Sequence, residues 1–352
     1  MIWLLKDVHN FLQQFIPSPF LQYRFSPADL ARFSPKRRLA SSSSDADSIL
    51  HTFDVLSYNI NNAASSSPDK VRKILRAIFS SGASIILLQE TNPTWEKLLH
   101  EDAVALHYNC RFFHHPGKED RSAGGIAILS QYYLEDISVL DLTKDVSGSV
   151  FPALIFKAIV SLSDFDNSQQ LSSHFPELID GESIRIGIAN VHLRPPVELD
   201  GYAWLNTARK TEPIRLGEVK GLVRRTTTHD RSLVASTHQS ELDIIAGDFN
   251  EGDFGAALTY LSTTLSYTDA LQQFVPRRKE THQWPFMKNL WTLRKRLDHI
   301  FWRSDPLSVT TKIRNTECVL RLKCLGCGVL TGYETGASDH QPVLARFGVV
   351  VD

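Results

Sequence analysis

The chain has 352 residues, 42% of them hydrophobic, and a formal net charge of −1. A chain of this size can bury most of its apolar surface in one large core, and the balanced charge excludes a molecule whose overall field attracts nucleic acid or an anionic membrane. Any attraction for phosphate groups therefore has to be local.

Residues 1–50 are predicted to form an N-terminal segment outside the main domain. Apolar residues recur at helical spacing over residues 1–16, and Pro17 ends the pattern, which predicts an amphipathic helix. A helix folded back on the main domain is favoured over a membrane-surface helix, because its polar face is not rich in Lys or Arg. Residues 34–48, basic and then serine-rich, are typical of a flexible linker, with the tail of an organelle-targeting peptide as the alternative.

The N-terminus does not have the form of a secretory signal peptide, and no apolar run approaches the roughly 18 residues of a membrane span. Four cysteines in a chain of this length do not make a disulfide scaffold. We therefore expect an intracellular protein of the nucleus or cytoplasm. Cys324 and Cys327 have zinc-ligand spacing, but no second pair or nearby histidine completes a tetrahedral set, so buried thiols are favoured.

Residues 51–350 alternate between predicted strands and helices. One helix is predicted at 68–79 and another at 213–225, opened by Pro213, while the polar residues 161–182 predict a surface loop. The mixture predicts one α/β (α+β) domain of sheets with outer helices. Strands are predicted at 53–58, 85–88, 126–129, 153–160, 184–193, 242–246, 297–302 and 343–347.

Two polar side chains close apolar runs in the first part of this domain. Asn59 follows the run 55–58, and Glu90 follows the run 85–89. A carboxylate at the end of a buried strand has to be solvated, paired or bound to a metal, because burying it alone costs many kcal/mol. Taken singly, a turn asparagine and a structural ion pair are the more common roles.

The block Gly247-Asp248-Phe249-Asn250 follows a third apolar run. Glycine lets the backbone approach a ligand closely. Asp248 can position a water molecule or accept its proton, and the Asn250 amide can donate to a phosphoryl oxygen. A simple turn at the end of a strand explains this block equally well when the block is considered alone.

Two histidines complete the series of polar strand ends. His340 follows Asp339, and either Asp339 or Asp298 can orient its imidazole by accepting the N–H. His192 closes a strand two residues before Arg194, which places both side chains on one side and makes Arg194 a candidate substrate contact. Most lone histidines on strands are structural. The ordered co-occurrence favours one shared site over many separate structural roles.

This series resembles the endonuclease/exonuclease/phosphatase superfamily, the deoxyribonuclease I-like metal-dependent phosphoesterases. The resemblance covers about residues 52–350 and rests on the blocks around Asn59, Glu90, Asp248 and His340. It implies a four-layered sandwich of two packed mixed β-sheets flanked by helices. It also implies a Mg²⁺-dependent phosphodiesterase, with Mn²⁺ as the alternative metal, in which water attacks the phosphoester directly.

The resemblance implies a role for each polar residue. Glu90 would be the principal metal ligand, with Asn59 beside it. Asp248 would position or activate the attacking water, and Asn250 would hold the scissile phosphate. These residue types suit the chemistry, because Mg²⁺ prefers oxygen ligands and keeps several waters.

The histidines also have implied roles. His340 would stabilise the pentacoordinate transition state or act as acid–base, supported by Asp339 and Asp298. His192 corresponds to a histidine of the nuclease, sphingomyelinase and phosphatase branches. Abasic-site endonucleases instead have a tyrosine in a segment that corresponds to residues 121–123, where this chain has none. A dedicated abasic-site enzyme is therefore disfavoured.

The sequence narrows the substrate in part. Basic clusters at 277–279 and 294–296 are interleaved with aromatic residues, which suits a single-stranded or frayed nucleic-acid end. Phosphoinositide head groups would also suit these clusters, and a solvated basic face over an aromatic core explains the same pattern. Residues 281–284 and 296–303 are similar to the 5′-tyrosyl-DNA phosphodiesterase branch. Nucleic acid is the predicted substrate. The alternatives are a phospholipid, as in sphingomyelinases or phosphoinositide phosphatases, and a catalytically inactive binding module.

Overall fold

The structure is a computed structural model of the chain. The predicted N-terminal helix and linker, nearly all of the predicted loop at 161–182 and the basic cluster at 277–279 lie outside the described residues. The described residues are 49–114, 123–161, 183–196, 205–227, 241–275, 280–286, 291–309, 320–330 and 337–351.

All of the predicted strands are present, with additional strands between them. The additional strands either are short, are largely exposed like β3 and β5, or carry residues that interrupt an alternating pattern, such as Pro285 and Gly326. In chain order the strands are β1 (Ile49–Asn59), β2 (Ile85–Thr91), β3 (Asn109–Phe113), β4 (Gly125–Ser130), β5 (Tyr133–Leu140), β6 (Ala153–Ser161), β7 (Ser183–His192), β8 (Ile244–Asp248), β9 (Thr268–Asp269), β10 (His282–Phe286), β11 (Trp291–Lys295), β12 (Asp298–Trp302), β13 (Ser308–Val309), β14 (Leu320–Val329) and β15 (Val343–Val351).

The α-helices are α1 (Pro68–Ser80), α2 (Pro93–Glu101), α3 (Leu205–Thr226), α4 (Ala256–Thr259) and α5 (Ala270–Phe274). Short 3₁₀ turns cover Asn62–Ser66, Ala103–His107 and Leu142–Lys144, and a π-helical turn covers Tyr260–Thr264. Among the described helices, none combines the length and apolar character needed to cross a membrane.

The predicted start of the second helix is wrong. Helix α3 begins at Leu205, so Pro213 lies inside the helix and does not open it. A proline inside a helix removes one backbone hydrogen bond to the preceding turn, and this cost does not outweigh the rest of a long helix. The Thr211 hydroxyl, two residues before the proline, donates to the Thr207 carbonyl at 2.8 Å.

The strands form two large mixed sheets. The first has six strands in the order β14-β15-β1-β2-β4-β3, and the second has the order β5-β6-β7-β8-β12-β9 with β13 beside β7. Within them β1 is parallel to β2 and β7 is parallel to β8, while the other neighbours are antiparallel.

The two sheets pack face to face and the helices cover their outer faces. The core between the sheets contains Val55 and Leu87 from the first sheet with Phe156 and Ile188 from the second. Separate clusters lie under α1 and α2 and under α3 and α4. Each such fully buried side chain contributes roughly 1.5–3 kcal/mol. The fold is the four-layered α/β sandwich that the sequence predicted.

The sheet order brings the polar strand ends to one edge. Strands β7 and β8 are parallel, so His192 and Asp248 are paired where both strands end. Strand β12 is antiparallel to β8, and its first residue, Asp298, pairs with Asp248. In the first sheet Asn59 ends β1 beside Gln89 of β2.

The two closely spaced cysteines lie in the core between the sheets. Cys324 and Cys327 are both buried on β14, on either side of a bulge. Burial raises the pKa of the Cys324 thiol to about 12, so this group stays protonated and uncharged at neutral pH.

Candidate active site

A glycine lets the ends of β7 and β8 approach each other. Gly247 has a φ of 148°, and a Cβ atom there would lie 1.9 Å from the Val191 carbonyl oxygen. Only glycine avoids that clash. The close approach sets Asp248 directly beside His192.

Asp248 is the centre of the site and is 1% exposed. Its Oδ1 accepts from the Asn250 backbone N–H at 2.8 Å, and its Oδ2 accepts from Asn59 Nδ2 at 3.1 Å. The Nε2 atoms of His192 and His340 each lie 3.6 Å from the same Oδ2. One carboxylate oxygen therefore faces an amide and two imidazoles.

His340 is held in place by Asp298. Its Nδ1 lies 2.9 Å from Asp298 Oδ2, and the Asp298 backbone N–H donates to Thr281 Oγ1 at 3.1 Å. Burial disfavours the charged imidazole, but the negative charges of Asp298 and Asp248 outweigh burial and raise the pKa of His340 to about 10. His340 is therefore an imidazolium at neutral pH.

His192 differs from His340 in its charge. Its ring stacks on Phe151, with 4.2 Å between the centroids, and the side chain is 3% exposed. Burial lowers the pKa of His192 to about 4, and the opposing effect of Asp248 does not cancel this shift. His192 is therefore neutral at neutral pH, so Asp248 lies between one charged and one uncharged imidazole.

Glu90 lies beside Asn59 at the end of β2. It has a φ of 58° at an irregularity in the pairing with β4. Its Oε1 accepts from Asn59 Nδ2 at 3.1 Å, and its Oε2 accepts from the Asn62 backbone N–H at 3.1 Å. Burial raises the pKa of Glu90, and this shift is opposed by the Asn59 hydrogen bond. The Asn59 amide thus bridges the carboxylates of Glu90 and Asp248.

Asp339 closes another side of the site. Its Oδ1 accepts from Asn61 Nδ2 at 2.8 Å, and its Oδ2 lies 3.7 Å from His282 Nε2. Burial would raise the pKa of Asp339, but the neighbouring His282 and the charge of His340 hold this pKa well below its ordinary value. Asp339 is therefore a carboxylate over the whole physiological range.

The side chain of Asn250 is oriented by the backbone. Asn250 has a φ of 52°, and its Nδ2 donates to the Leu193 carbonyl at 3.0 Å. Arg194, two residues after His192, is 9% exposed. Its backbone N–H donates to Glu218 at 2.9 Å. Burial raises the pKa of the Glu218 carboxyl, and this hydrogen bond and the charge of Arg194 oppose the shift.

The structure brings together Asn59, Glu90, His192, Asp248, Asn250, Asp298, Asp339 and His340 from the predicted set. Arg194 contacts Glu218 and Arg215 through its backbone N–H and carbonyl, and strand β7 ends at His192, two residues before it. The role of the Arg194 side chain as a substrate contact stays a prediction.

Sequence reasoning missed several neighbours of the site, above all His282. Its ring centroid lies 4.5 Å from that of His340, and its backbone forms an isolated bridge with His340. Asn61 and Ser338 are further neighbours, since the Ser338 hydroxyl donates to the Asn59 carbonyl at 2.8 Å. The short segment from residue 281 to 284, noted only for its resemblance, was the available signal.

The donor set fits a divalent cation. The carboxylates of Asp248 and Asp298 and, in a second group, that of Asp339 lie within 4.8 Å of His340 ring nitrogens. His340 is charged and cannot itself ligate a cation, so the carboxylate oxygens are the donors of these groups. Glu90 is outside both groups but adds two carboxylate oxygens next to the Asn59 carboxamide. Among the described residues no Lys or Arg pairs with Glu90. Oxygen donors with uncompensated negative charge are what Mg²⁺ requires.

Comparisons with known proteins agree with this arrangement. A sequence model of the Endonuclease/Exonuclease/phosphatase family matches residues 56–340. No curated protein sequence matches the chain.

Solved structures with the same fold include the TDP2 branch. The human nocturnin catalytic domain with bound sulfate is 15% identical, with a TM-score of 0.53 and coverage of 86% of this chain and 96% of that chain. D. rerio TDP2 humanized by 14 mutations is 14% identical, with a TM-score of 0.51 and coverage of 84% and 98%. D. rerio TDP2 complexed with a single-strand DNA product gives the same identity of 14%, TM-score of 0.51 and coverage of 84% and 98%.

Proposed function

The chain belongs to the endonuclease/exonuclease/phosphatase family of phosphoester hydrolases, and we propose that it is a Mg²⁺-dependent phosphodiesterase acting on nucleic acid. One observation carries the proposal: Asp248 Oδ2 lies 3.6 Å from the Nε2 atoms of His192 and of His340. Such a group supplies a proton acceptor, a neutral imidazole and an imidazolium at one point. Hydrolysis of a phosphodiester by water is accelerated by a proton acceptor for the water and by donors to the developing negative charge, which this group can supply.

Glu90 is the residue that would hold the metal, with Asn59 beside it. Asn59 directs its Nδ2 to Glu90 and its Oδ1 to the Asn61 N–H, so it would join as a ligand only by turning its amide. Bound there, Mg²⁺ would polarise a phosphoryl oxygen and lower the pKa of a bound water. Burial raises the pKa of Glu90, because a buried carboxylate without a cation is costly. A bound cation would remove this cost.

The other residues act on the water and on the phosphate. Asp248 accepts a hydrogen bond from the attacking water and takes its proton. His340, charged and fixed by Asp298, donates to the oxygen on which negative charge develops. Asn250 donates one N–H of its amide to the phosphoryl group, while the other stays bound to the Leu193 carbonyl.

The substrate class is supported by one structural neighbour. The D. rerio TDP2 with this fold was solved with a single-strand DNA product. In this chain the exposed Lys295 lies on β11 opposite His282, which contacts His340, so a cationic side chain lies beside the site. The lysine suits a phosphate of either class, and the DNA-bound neighbour is what favours nucleic acid over a phospholipid.

The test is hydrolysis by the purified protein, with Mg²⁺ or EDTA, across a panel of phosphoesters. The panel contains single- and double-stranded DNA, RNA, a 5′-phosphotyrosyl oligonucleotide, sphingomyelin and a phosphoinositide, and Asp248→Asn is the control. We expect metal-dependent turnover of a nucleic-acid substrate that the variant loses. Turnover of a lipid alone contradicts the proposed substrate, and silence across the panel with no Mg²⁺-dependent rise in Tm favours a binding module.

A further inference from the structure

An exposed aromatic ring follows the Asn250 block. Phe254 is 80% exposed, the highest value for a large apolar side chain among the described residues. It lies four residues after Asn250, so their Cα atoms are at most about 14 Å apart. A single exposed apolar ring is common on protein surfaces. This ring is a candidate ligand contact because of its position after the Asn250 block and because its loop is fixed by the contacts described next.

The loop that carries Phe254 is fixed at both ends. Glu251 accepts from Arg215 Nε at 3.2 Å and from the first N–H groups of α4 at 2.8 and 3.4 Å. Asp253 lies 3.4 Å from Arg296 Nε. At the far end, a Cβ atom on Gly255 would lie 1.8 Å from the Glu251 side chain, so the loop packs closely on itself. The ring is therefore presented on a pre-organised loop.

A cationic side chain lies on the hairpin beside this loop. Lys295 is exposed and is paired in register with His282, whose ring is 4.5 Å from that of His340. Directly paired residues of antiparallel strands project on the same face. Among the described residues no carboxylate pairs with Lys295, whereas its neighbour Arg294 is paired with Glu280 at 3.1 Å. Lys295 is thus available to an anion near the site.

We propose that Phe254 and Lys295 form a nucleotide subsite next to the candidate active site. Phe254 stacks on an unpaired base, and Lys295 contacts a backbone phosphate. The subsite rests on the proposed function and sharpens it, because it assigns a single-stranded or frayed segment to the surface beside the scissile phosphate. Stacking on an aromatic ring requires a base that is not already stacked in a duplex.

Binding of single-stranded DNA tests the subsite without turnover. A short fluorescein-labelled DNA strand of mixed sequence is titrated, in EDTA, with the Asp248→Asn protein and with the same protein carrying Phe254→Ala. Loss of one stacked base should raise Kd roughly 5- to 150-fold. Phe254→Trp should keep the affinity of the parent, because tryptophan retains a stacking face.

Salt dependence separates the two members of the subsite. Removing one phosphate contact from a single strand lowers the slope of log Kd against log salt by about 0.7, so Lys295→Gln should show this reduction. Phe254→Ala should leave the slope unchanged, because stacking releases no counterion.

Tyr133→Ala is the matched control. Tyr133 is 66% exposed, but it pairs with Ile159, which pairs with Arg185. Arg185 is seven residues before His192, about 23 Å along β7. An exposed aromatic at that end of the sheet should contribute nothing to DNA binding.

Two results overturn the subsite. One is an equal Kd for Phe254→Ala, Tyr133→Ala and the parent protein. The other is a Phe254→Ala variant that keeps its DNA affinity but loses binding to phosphatidylserine vesicles, which would assign the ring to a membrane. The proposed function is tested by a different measurement and fails if the wild-type protein hydrolyses no nucleic acid with Mg²⁺, so hydrolysis of nucleic acid together with equal Kd values overturns the subsite alone.

Discussion

Two clusters of polar side chains adjoin the segment around Asn250, and all of their members are buried except the half-buried Glu90 and the exposed Asp339. Both are assembled from strand ends and neighbouring loops or helices, and they differ in how completely their charges are paired. The support cluster consists of Ser149, Arg194, Arg215, Glu218 and Glu251. The site cluster consists of Asn59, Glu90, His192, Asp248, Asp298, Asp339 and His340.

Every carboxylate oxygen of the support cluster accepts a hydrogen bond. Glu251 accepts from Arg215 at one oxygen and from backbone N–H groups of α4 at the other. Glu218 accepts from the Ser149 hydroxyl and from the Arg194 backbone N–H. Arg215 also donates to the Arg194 carbonyl at 3.1 Å. The support cluster therefore ties the segment after His192 to the segment after Asn250.

The site cluster is paired less completely. Asp298 Oδ1 is buried and finds no donor among the described residues. The carboxylates of Glu90, Asp248, Asp298 and Asp339 all act on the one imidazolium of His340. The comparison teaches that the fold balances its charges where they support structure and leaves negative charge unbalanced where a cation and a phosphoester would bind.

The largest effect should come from removing a charge of the site cluster. Asp248→Asn and Glu90→Gln should each lower Mg²⁺-dependent turnover by about 10²–10⁴. The change in Tm should be small, because each variant removes a buried negative charge but also loses one of the two N–H hydrogen bonds that the carboxylate accepts. Turnover on the best panel substrate and thermal melting without metal measure both effects. Retained activity in either variant contradicts the role assigned to that residue.

Replacing Arg215 of the support cluster should lower the stability of the protein, in contrast to the site variants, which should lower turnover. Arg215→Met leaves the buried Glu251 carboxylate without its cation, which should destabilise the protein by about 3–5 kcal/mol. Chemical denaturation measures the loss. Adding Glu251→Gln should recover part of it, since the second change neutralises the stranded charge.

A matched ion pair lies elsewhere in the first sheet. Arg346 donates to both oxygens of Asp54, at 2.8 and 2.7 Å, but the pair is only part-buried. Arg346→Met should therefore cost less than Arg215→Met. An equal cost for the two variants would mean that the support cluster is an ordinary ion pair.

The site cluster could be predicted from the sequence because of where its residues lie along the chain. Asn59, Glu90 and Asp248 each end an apolar run, and a buried strand that stops in a polar group places this group at the edge of a sheet. The order of such strand ends carries the family resemblance. The layered fold followed from the same runs.

The support cluster could not be predicted, because its contacts are made only in the folded chain. Arg215 and Glu218 lie on α3, where polar residues normally indicate a solvated helix face, and both are at most 4% exposed. His282 could not be predicted as a site residue for a related reason. It begins β10, a short strand that contains Pro285 and whose only partner strand among the described residues is β11, so no alternating strand pattern indicates it.

A smaller effect should come from His192, the neutral imidazole of the site cluster. His192→Ala should lower turnover by about 10², because it removes one group that contacts Asp248. Phe151→Leu is the control, since it removes the ring that stacks on His192 and leaves the imidazole in place. Near-normal rates for His192→Ala would assign this histidine a structural role.

The smallest expected effect is on the pH dependence of stability. It tests whether a carboxylate of the support cluster stabilises the fold simply because both of its oxygens accept hydrogen bonds. Burial raises the pKa of Glu218 to about 7, although the Arg194 N–H and the Ser149 hydroxyl oppose the shift. Between the ordinary pKa of about 4.5 and this value the folded state binds more protons than the unfolded state. The stability contributed by protonated Glu218 is therefore lost as pH rises through this window.

Glu218→Gln should remove that loss and stabilise the protein by about 1–3 kcal/mol at pH 8, with no gain at pH 4. Asp243, whose pKa burial also raises to about 7, gives the matched control, because its carboxylate accepts from the Gly187 N–H far along β7 from the site. Asp243→Asn should flatten the remaining pH dependence additively. A Glu218→Gln variant that is less stable at pH 8 would show that the cluster needs the charge itself, and that complete hydrogen bonding is not what separates it from the site.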